Sequence, residues 1–395
     1  MSGSFVLAAG GTGGHLFPAE AVASELLGQG KIVHFASDER TDAIARRLTG
    51  VETHRVRAGR FGDGPGRTVQ ALGALTLGAI QAHQLLRRLA PTVVIGFGGY
   101  PSVPTMLAAV SLGLPTLVHE QNAVLGRANR LLAPRARVIA TSFPTTAGLR
   151  LADSVRAVHT GNPVRQAIVA VGDVGYKVPE PGWPIELLIM GGSQGARILS
   201  EVVPSALEAL PEGLRKVLRV SQQVRPEDLA PVAEIYQRAG ITADLNSFFD
   251  DMPMRLPRAH LVICRAGASS IAEIATIGRP AVLIPYPHAT DDHQTANARA
   301  FAESGGGWVI PQSSFSPSTL APYLDRLLAD GGALSAAAQR AVAFGRRDAT
   351  RRLARLALDL LTAAKHPFGF QGRAACEHFP ERSVLCISLA SAGSV

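Results

Sequence analysis

The chain has 395 residues, of which 47% are hydrophobic and 18% charged, and carries a net charge of +8. That is enough chain for two domains with a core each, and the composition excludes a disordered protein. Cysteines are few (Cys264, Cys376 and Cys386) and lack C-x-x-C spacing, which argues against a disulfide framework. Aromatics at 5% with no dense Lys/Arg block argue against a nucleic-acid partner, so the basic excess points to an anionic lipid surface or to plain solvation.

The first ten residues carry no basic segment and run straight into a strand pattern, so no signal peptide is expected. Short apolar runs at 5–8, 92–95, 115–118 and 137–140 predict buried parallel strands, and helix-length segments lie between them. The same style returns at 186–190, 260–264 and 281–284. The expected fold class is therefore α/β, with two Rossmann-like domains facing each other across a cleft. The expected bounds are 1–165, a Gly/Pro-rich linker over 166–184, a second domain over 185–365, and a poorly ordered tail over 366–395. No run is long enough to span a membrane; 68–86 comes nearest but holds Gln70, Gln81 and His83. A patch there, followed by Arg87 and Arg88, suits docking on a lipid surface, and a buried domain helix explains it equally well.

Both halves open with a strand, a glycine loop and a helix. The first loop is Gly10-Gly11-Thr12-Gly13-Gly14-His15, with a helix expected near 18–27; the second is Gly191-Gly192-Ser193-Gln194-Gly195. Loops without Cβ atoms let backbone N–H groups reach phosphate oxygens, and the helix start adds its dipole. Neither the dinucleotide nor the P-loop spacing is present. A third loop, Gly96-Phe97-Gly98-Gly99-Tyr100, also follows a strand, and Tyr100 there could face a ligand or be a plain turn residue.

His119-Glu120-Gln121-Asn122 follows the strand at 115–118. A His and a Glu at a strand's carboxyl end can supply acid–base chemistry or orient a sugar. Arg165, in Gly161-Asn162-Pro163-Val164-Arg165, suits a diphosphate by charge and shape. In 265–273, Ser270 and Glu273 match a capping box; the other reading is a helix start aimed at phosphate, with Glu273 on ribose hydroxyls. There is no D-x-D and no H-E-x-x-H, so no metal and no cofactor is expected.

Taken in order, 10–15 with Pro18, 96–101, 119–122, 161–165, 191–197, Phe249-Asp250-Asp251-Met252, 265–273 and 291–297 resemble the MurG family, GT-B glycosyltransferases of bacterial cell-wall synthesis. The resemblance spans roughly residues 3–362. It implies transfer of N-acetylglucosamine from UDP-GlcNAc to the C4 hydroxyl of undecaprenyl-diphosphate-MurNAc-pentapeptide, lipid I to lipid II, with inversion. Donor contacts implied are Thr12, Gly13, Gly14, Asn122, Arg165, Ser193, Phe249, Ala268, Ser269, Ser270, Ile271, Ala272, Glu273 and Gln294. Gly98, Gly99 and Tyr100 fall on the acceptor side. His15 is the favoured base, with His119 and Glu120 as rivals. The resemblance also implies a peripheral place on the cytoplasmic face of the cell membrane and contact with other cell-wall synthesis proteins. A UDP-galactose-dependent glycolipid synthase, a UDP-GlcNAc 2-epimerase and a non-catalytic UDP-sugar binder remain alternatives.

Overall fold

The computed structural model describes residues 3–10, 13–38, 50–59, 65–180, 182–192 and 196–363, without the side chains of 65–72 and 363. The expected tail at 366–395, Thr12 and Ser193 lie outside the described residues.

Two parallel sheets form the frame. The first holds β1 (Ser4–Ala8), β2 (Ile32–Ser37), β3 (Glu52–Arg55), β4 (Val93–Gly96), β5 (Thr116–Glu120), β6 (Val138–Thr141) and β7 (Ala157–His159), in the order β3-β2-β1-β4-β5-β6-β7. The second holds β8 (Ile185–Met190), β9 (Leu218–Gln223), β10 (Thr242–Asn246), β11 (Leu261–Cys264), β12 (Ala281–Leu283) and β13 (Gly307–Val309), in the order β10-β9-β8-β11-β12-β13. In each sheet the chain winds outward from its first strand and then crosses back beside it. The β1/β4 and β8/β11 junctions are thus the switch points at which such sheets open a crevice.

The helices that matter for the site are α1 (Gly13–Gly28), α2 (Pro65–Leu89), α3 (Ser102–Ser111), α4 (Arg127–Leu132), α5 (Arg197–Glu208), α6 (Leu229–Ala239), α7 (Ala268–Ile277), α8 (His293–Glu303), α9 (Pro317–Ala329) and α10 (Ala349–Ala363). They cover both faces of the sheets, which is why the central strands read as unbroken apolar runs. Phe5, Leu7, Val93 and Ile95 pack on the face of α1, while Val6, Val94, Val118 and Ile139 pack on the face of α2, α3 and α4. In the second domain Leu187, Ile189 and Val220 meet α5, α6 and α9, and Leu188, Val262 and Cys264 meet α7 and α8.

Two boundaries differ from the sequence expectation. Helix α10, expected within the second domain, crosses back: Leu353, Ala354, Ala357 and Leu360 are buried with Val22, Leu26 and Phe5 of the first core. Their i, i+4, i+7 stripe is apolar and needs a partner, and the sheet face beside α1 provides it. Conversely Val164 and Ile168 pack with Ile271 and Ile274, so the second core begins before the expected linker ends. The chain thus enters the second domain and returns to clasp the first.

Candidate active site

The floor of the crevice is built at the β1/β4 switch point. Gly98 and Gly99 both have positive φ, at 84° and 76°. A Cβ on Gly99 would stand 2.5 Å from the Gly10 carbonyl oxygen, and one on Gly98 3.3 Å from the His15 ring. The turn after β4 therefore runs close beneath His15, which only residues without a side chain allow. His15 itself is in the first turn of α1, half-buried. Helix α1 begins at Gly13, earlier than the expected start near 18, so Gly13 and Gly14 are helical. Pro18 inside it has no N–H to give to the Gly14 carbonyl.

A hydrogen-bonded chain leads inward from His15. Its Nδ1 lies 2.8 Å from Gln121 Oε1. Gln121 Nε2 lies 2.9 Å from His119 Nδ1 and 3.1 Å from the His119 carbonyl oxygen. His119 Nε2 meets the Gly161 carbonyl at 3.3 Å and Ser142 Oγ at 3.2 Å, and Phe97 packs edge-on against the ring. His119 has no exposed surface, and burial pushes its pKa down to about 4, against a partial rise from the Gly161 carbonyl. It is therefore neutral near pH 7, with one ring proton to place.

The chemistry of the partners fixes that proton and those beyond it. A carbonyl oxygen only accepts, so His119 Nε2 carries the hydrogen and donates to Gly161. His119 Nδ1 is then an acceptor and takes an N–H from Gln121. That turns Gln121 Oε1 toward His15, whose Nδ1–H donates to it. The lone pair of His15 is left on Nε2. One backbone carbonyl thus sets the tautomer of a histidine three partners away.

Glu120 is committed elsewhere. Only 2% exposed, its carboxylate accepts from Asn122 N and Nδ2, from Gly126 N and from Asn129 Nδ2, at 2.8 to 3.2 Å. It holds the loop after β5 together and offers no free oxygen to the crevice.

The second domain closes against this floor through a few polar seams. Buried Asn297 of α8 accepts from Ala123 N at 2.8 Å and donates to Asn122 Oδ1 and the Ala266 carbonyl, both at 3.1 Å. Asp291 sits between Arg127 and Arg130 of α4 at 3.5 and 3.4 Å. The Asp291 charge, and after it a hydrogen bond with Tyr100, raise the Arg127 pKa above its ordinary value. Arg165 and Glu273 form a bidentate pair, Nε to Oε1 at 2.8 Å and Nη2 to Oε2 at 3.1 Å. The Arg165 guanidinium also lies over the Phe17 ring of α1, 5.3 Å from its centre.

Helix α7 starts one turn before Glu273. Its N-cap is Gly267, with no side-chain cap, so Ser270 is its third residue and no Ser270–Glu273 capping box forms. The capping reading is thereby corrected: the Glu273 carboxylate is taken by Arg165 instead. Ala268 and Ile271 are buried, Ser269, Ser270 and Ala272 half-buried, and the Ser269 hydroxyl has no partner among the described residues. The first amides of α7 have no helical acceptors. Gln294 accepts from Tyr286 N at 3.0 Å. The Phe249 ring is buried under the Arg255 guanidinium, 4.0 Å from its centre.

Of the expected residues, His15, Gly98 and Gly99 meet at the β1/β4 switch point, Arg165 meets Glu273 and Asn122 meets the second domain, whereas Phe249 contacts Arg255 and Gln294 the Tyr286 amide; Thr12 and Ser193 lie outside the described residues. Sequence reasoning gave no role to Gln121, Asn129 or Asn297, although Gln121 and Asn297 stand inside polar runs that it singled out.

The architecture has known counterparts. Residues 5–141 match the glycosyltransferase family 28 N-terminal domain and 186–353 its C-terminal domain. The fold and crevice are therefore those of a GT-B glycosyltransferase. A solved structure of MurG from Acinetobacter baumannii superimposes with a TM-score of 0.74 at 31% identity, over 90% of this chain and 99% of that one. Two UDP-N-acetylglucosamine–N-acetylmuramyl-(pentapeptide) pyrophosphoryl-undecaprenol N-acetylglucosamine transferases are closer in sequence. That of Rhodospirillum centenum is 52% identical over 88% of this chain and 92% of its own length. That of Paramagnetospirillum magneticum is 53% identical over 90% and 96%. The chain belongs to this MurG family.

Proposed function

We propose that the chain transfers N-acetylglucosamine from UDP-GlcNAc to the C4 hydroxyl of MurNAc in undecaprenyl-diphosphate-MurNAc-pentapeptide, with inversion at the anomeric carbon. Family membership over nearly nine-tenths of the chain supports the reaction. The hydrogen bond between His15 Nδ1 and Gln121 Oε1, which leaves the His15 lone pair on Nε2, is the observation that carries the mechanism.

The acceptor hydroxyl gives its proton to His15 Nε2 as its oxygen attacks the anomeric carbon. The bond from that carbon to the diphosphate breaks, and UDP leaves with the electron pair. His15 becomes an imidazolium, stabilised through Nδ1–H on Gln121 Oε1. His119 and Glu120 act as positioning residues, the first by setting the Gln121 amide, the second by holding the loop. A positioned base of this kind contributes roughly 10²–10⁴-fold.

Donor binding falls to the second domain. The diphosphate lies at the start of α7, where free amides, the Ser269 and Ser270 hydroxyls and the helix dipole favour negative charge. Arg165 releases Glu273 to meet the diphosphate, and Glu273 takes the ribose hydroxyls. Gln294 and Asn122 face the sugar, Gly13 and Gly14 line the opposite wall, and Gly98, Gly99 and Tyr100 face the acceptor. No metal or cofactor is assigned to the transfer step.

The enzyme works at the cytoplasmic face of the cell membrane, where its lipid substrate and other cell-wall synthesis proteins reside. Among the described residues no helix is long and apolar enough to cross a membrane. Helix α2 buries Ala82, Leu85 and Leu86 but leaves Leu77 and Ile80 about half exposed, with Arg87 and Arg88 in its last turn. That combination supports docking on anionic lipid.

The test is transfer of labelled GlcNAc from UDP-GlcNAc to a lipid I analogue, with UDP-galactose as competing donor and an acceptor-free arm. Formation of the disaccharide lipid from UDP-GlcNAc is expected. No transfer by the intact chain, preference for UDP-galactose, or epimerisation without acceptor would each overturn the proposal.

A further inference from the structure

A second cluster of chemistry-bearing residues lies outside the crevice, on the two outermost strands of the first sheet. His34 is on β2, and Glu52 and His54 are on the edge strand β3. The parallel register pairs His34 with Glu52 and places His54 opposite Ala36. His34 and His54 thereby stack side by side on one face, with ring centres 5.3 Å apart.

Three potential ligand atoms converge. His54 Nε2 is 3.3 Å from His34 Nδ1, and Glu52 Oε2 is 3.2 Å from His34 Nδ1 and 3.8 Å from His54 Nε2. Hydrogen bonding meets both contacts only by sharing one proton: His34 Nδ1–H would have to be divided between Glu52 and the lone pair of His54 Nε2. A cation held by all three atoms uses each lone pair fully.

A zinc ion fits the spacing. Zinc–nitrogen and zinc–oxygen bonds are about 2.0–2.2 Å, so tetrahedral ligand atoms stand roughly 3.3–3.5 Å apart. Two of the three separations agree. The third closes with a small rotation of Glu52, whose side chain is 63% exposed and free to turn. The imidazoles are largely buried, at 11% and 10% side-chain exposure, so they are held in place for a ligand. Arg88 opposes a cation here, but its charge is at the solvent-exposed end of α2 and is screened.

We propose that His34 Nδ1, His54 Nε2 and Glu52 bind one zinc ion, with solvent at the open fourth position. The ion pins edge strand β3 to β2 and stabilises the first domain; it takes no part in glycosyl transfer. The sequence hides this site because its ligands come from neighbouring parallel strands, as a lone His and a Glu-x-His, and not from one helix or loop.

The full chain, stripped with a chelator and dialysed, should take up one zinc per chain in competition with a chromophoric chelator. Cobalt(II) in its place should give the visible absorption of a tetrahedral site, and zinc should raise the melting temperature. Glu52→Gln should weaken uptake at least about tenfold, and His54→Gln should abolish the cobalt band. His34→Asn serves as a second check, accepted only with native circular dichroism. No uptake by the wild type, or the same uptake and cobalt spectrum in folded His54→Gln, would overturn the proposal.

Discussion

The two walls of the crevice handle polar groups in opposite ways. On the first domain His119, Glu120, Gln121 and Asn129 are each at most 2% exposed and bond chiefly to one another and to nearby backbone. On the second, Arg165 and Glu273 keep 33% and 13% of their side-chain surface and are held mainly by each other. Buried polar groups are costly to disturb because each needs its partner. A pair at the rim can trade its partner for a ligand at little net cost. The difference teaches a division of labour: the buried wall keeps one base and one tautomer fixed through every turnover, and the rim exchanges contacts each time UDP arrives or leaves.

The largest way to break that comparison is to remove the base. His15→Ala should lower kcat roughly 10²–10⁴-fold with UDP binding retained, measured by single-turnover transfer and by UDP titration. A base on the second wall would leave kcat intact.

Next is the buried histidine. His119 has a folded pKa of about 4 against 6.5 when unfolded, so between those values the unfolded chain binds the extra proton. Stability from this group is complete above pH 6.5 and is lost as pH falls toward 4, by about 3 kcal/mol in total. Burial acts in the same direction on His54 and His260, over the same side of neutrality. Thermal melts from pH 7 to 4.5 should fall more steeply for the wild type than for His119→Gln. Parallel curves would show that His119 is not the neutral member of the wall.

The smallest effect is expected at the rim. Glu273→Ala removes charge-assisted hydrogen bonds of about 1.5–3 kcal/mol, so KM for UDP-GlcNAc should rise roughly ten- to a hundredfold while kcat changes little. A fall in kcat with KM unchanged would place Glu273 in the fixed wall.

What the sequence makes legible follows the same physics. Central strands such as β1, β4, β8 and β11 are buried on both faces and read as unbroken apolar runs, and their glycine loops mark the switch points. Strands β9 and β10 do not, because Arg219, Ser221, Thr242 and Asp244 face partly outward and dilute the pattern. Edge strand β3, Glu-Thr-His-Arg, has no aliphatic residue at all. Among site residues, types with obvious chemistry stood out: His15, Arg165 and Glu273. Gln121 and Asn297 did not, since an amide's role depends on which groups it bridges, and those lie 106 and 174 residues away in the chain. The Ser270–Glu273 pattern misled for a related reason: the helix begins three residues earlier, with Gly267 as its N-cap, and the carboxylate's partner comes from the domain junction.

The relay through Gln121 is tested most directly by comparing Gln121→Met with Gln121→Glu in steady-state transfer. Methionine fills the space but accepts nothing from His15 Nδ1, whereas glutamate keeps that acceptor. The relay predicts that kcat falls at least about tenfold for Gln121→Met with KM for UDP-GlcNAc unchanged, and that Gln121→Glu, which keeps the acceptor for His15 but loses the N–H given to His119, recovers only part of the loss. Full kcat in a correctly folded Gln121→Met would contradict it.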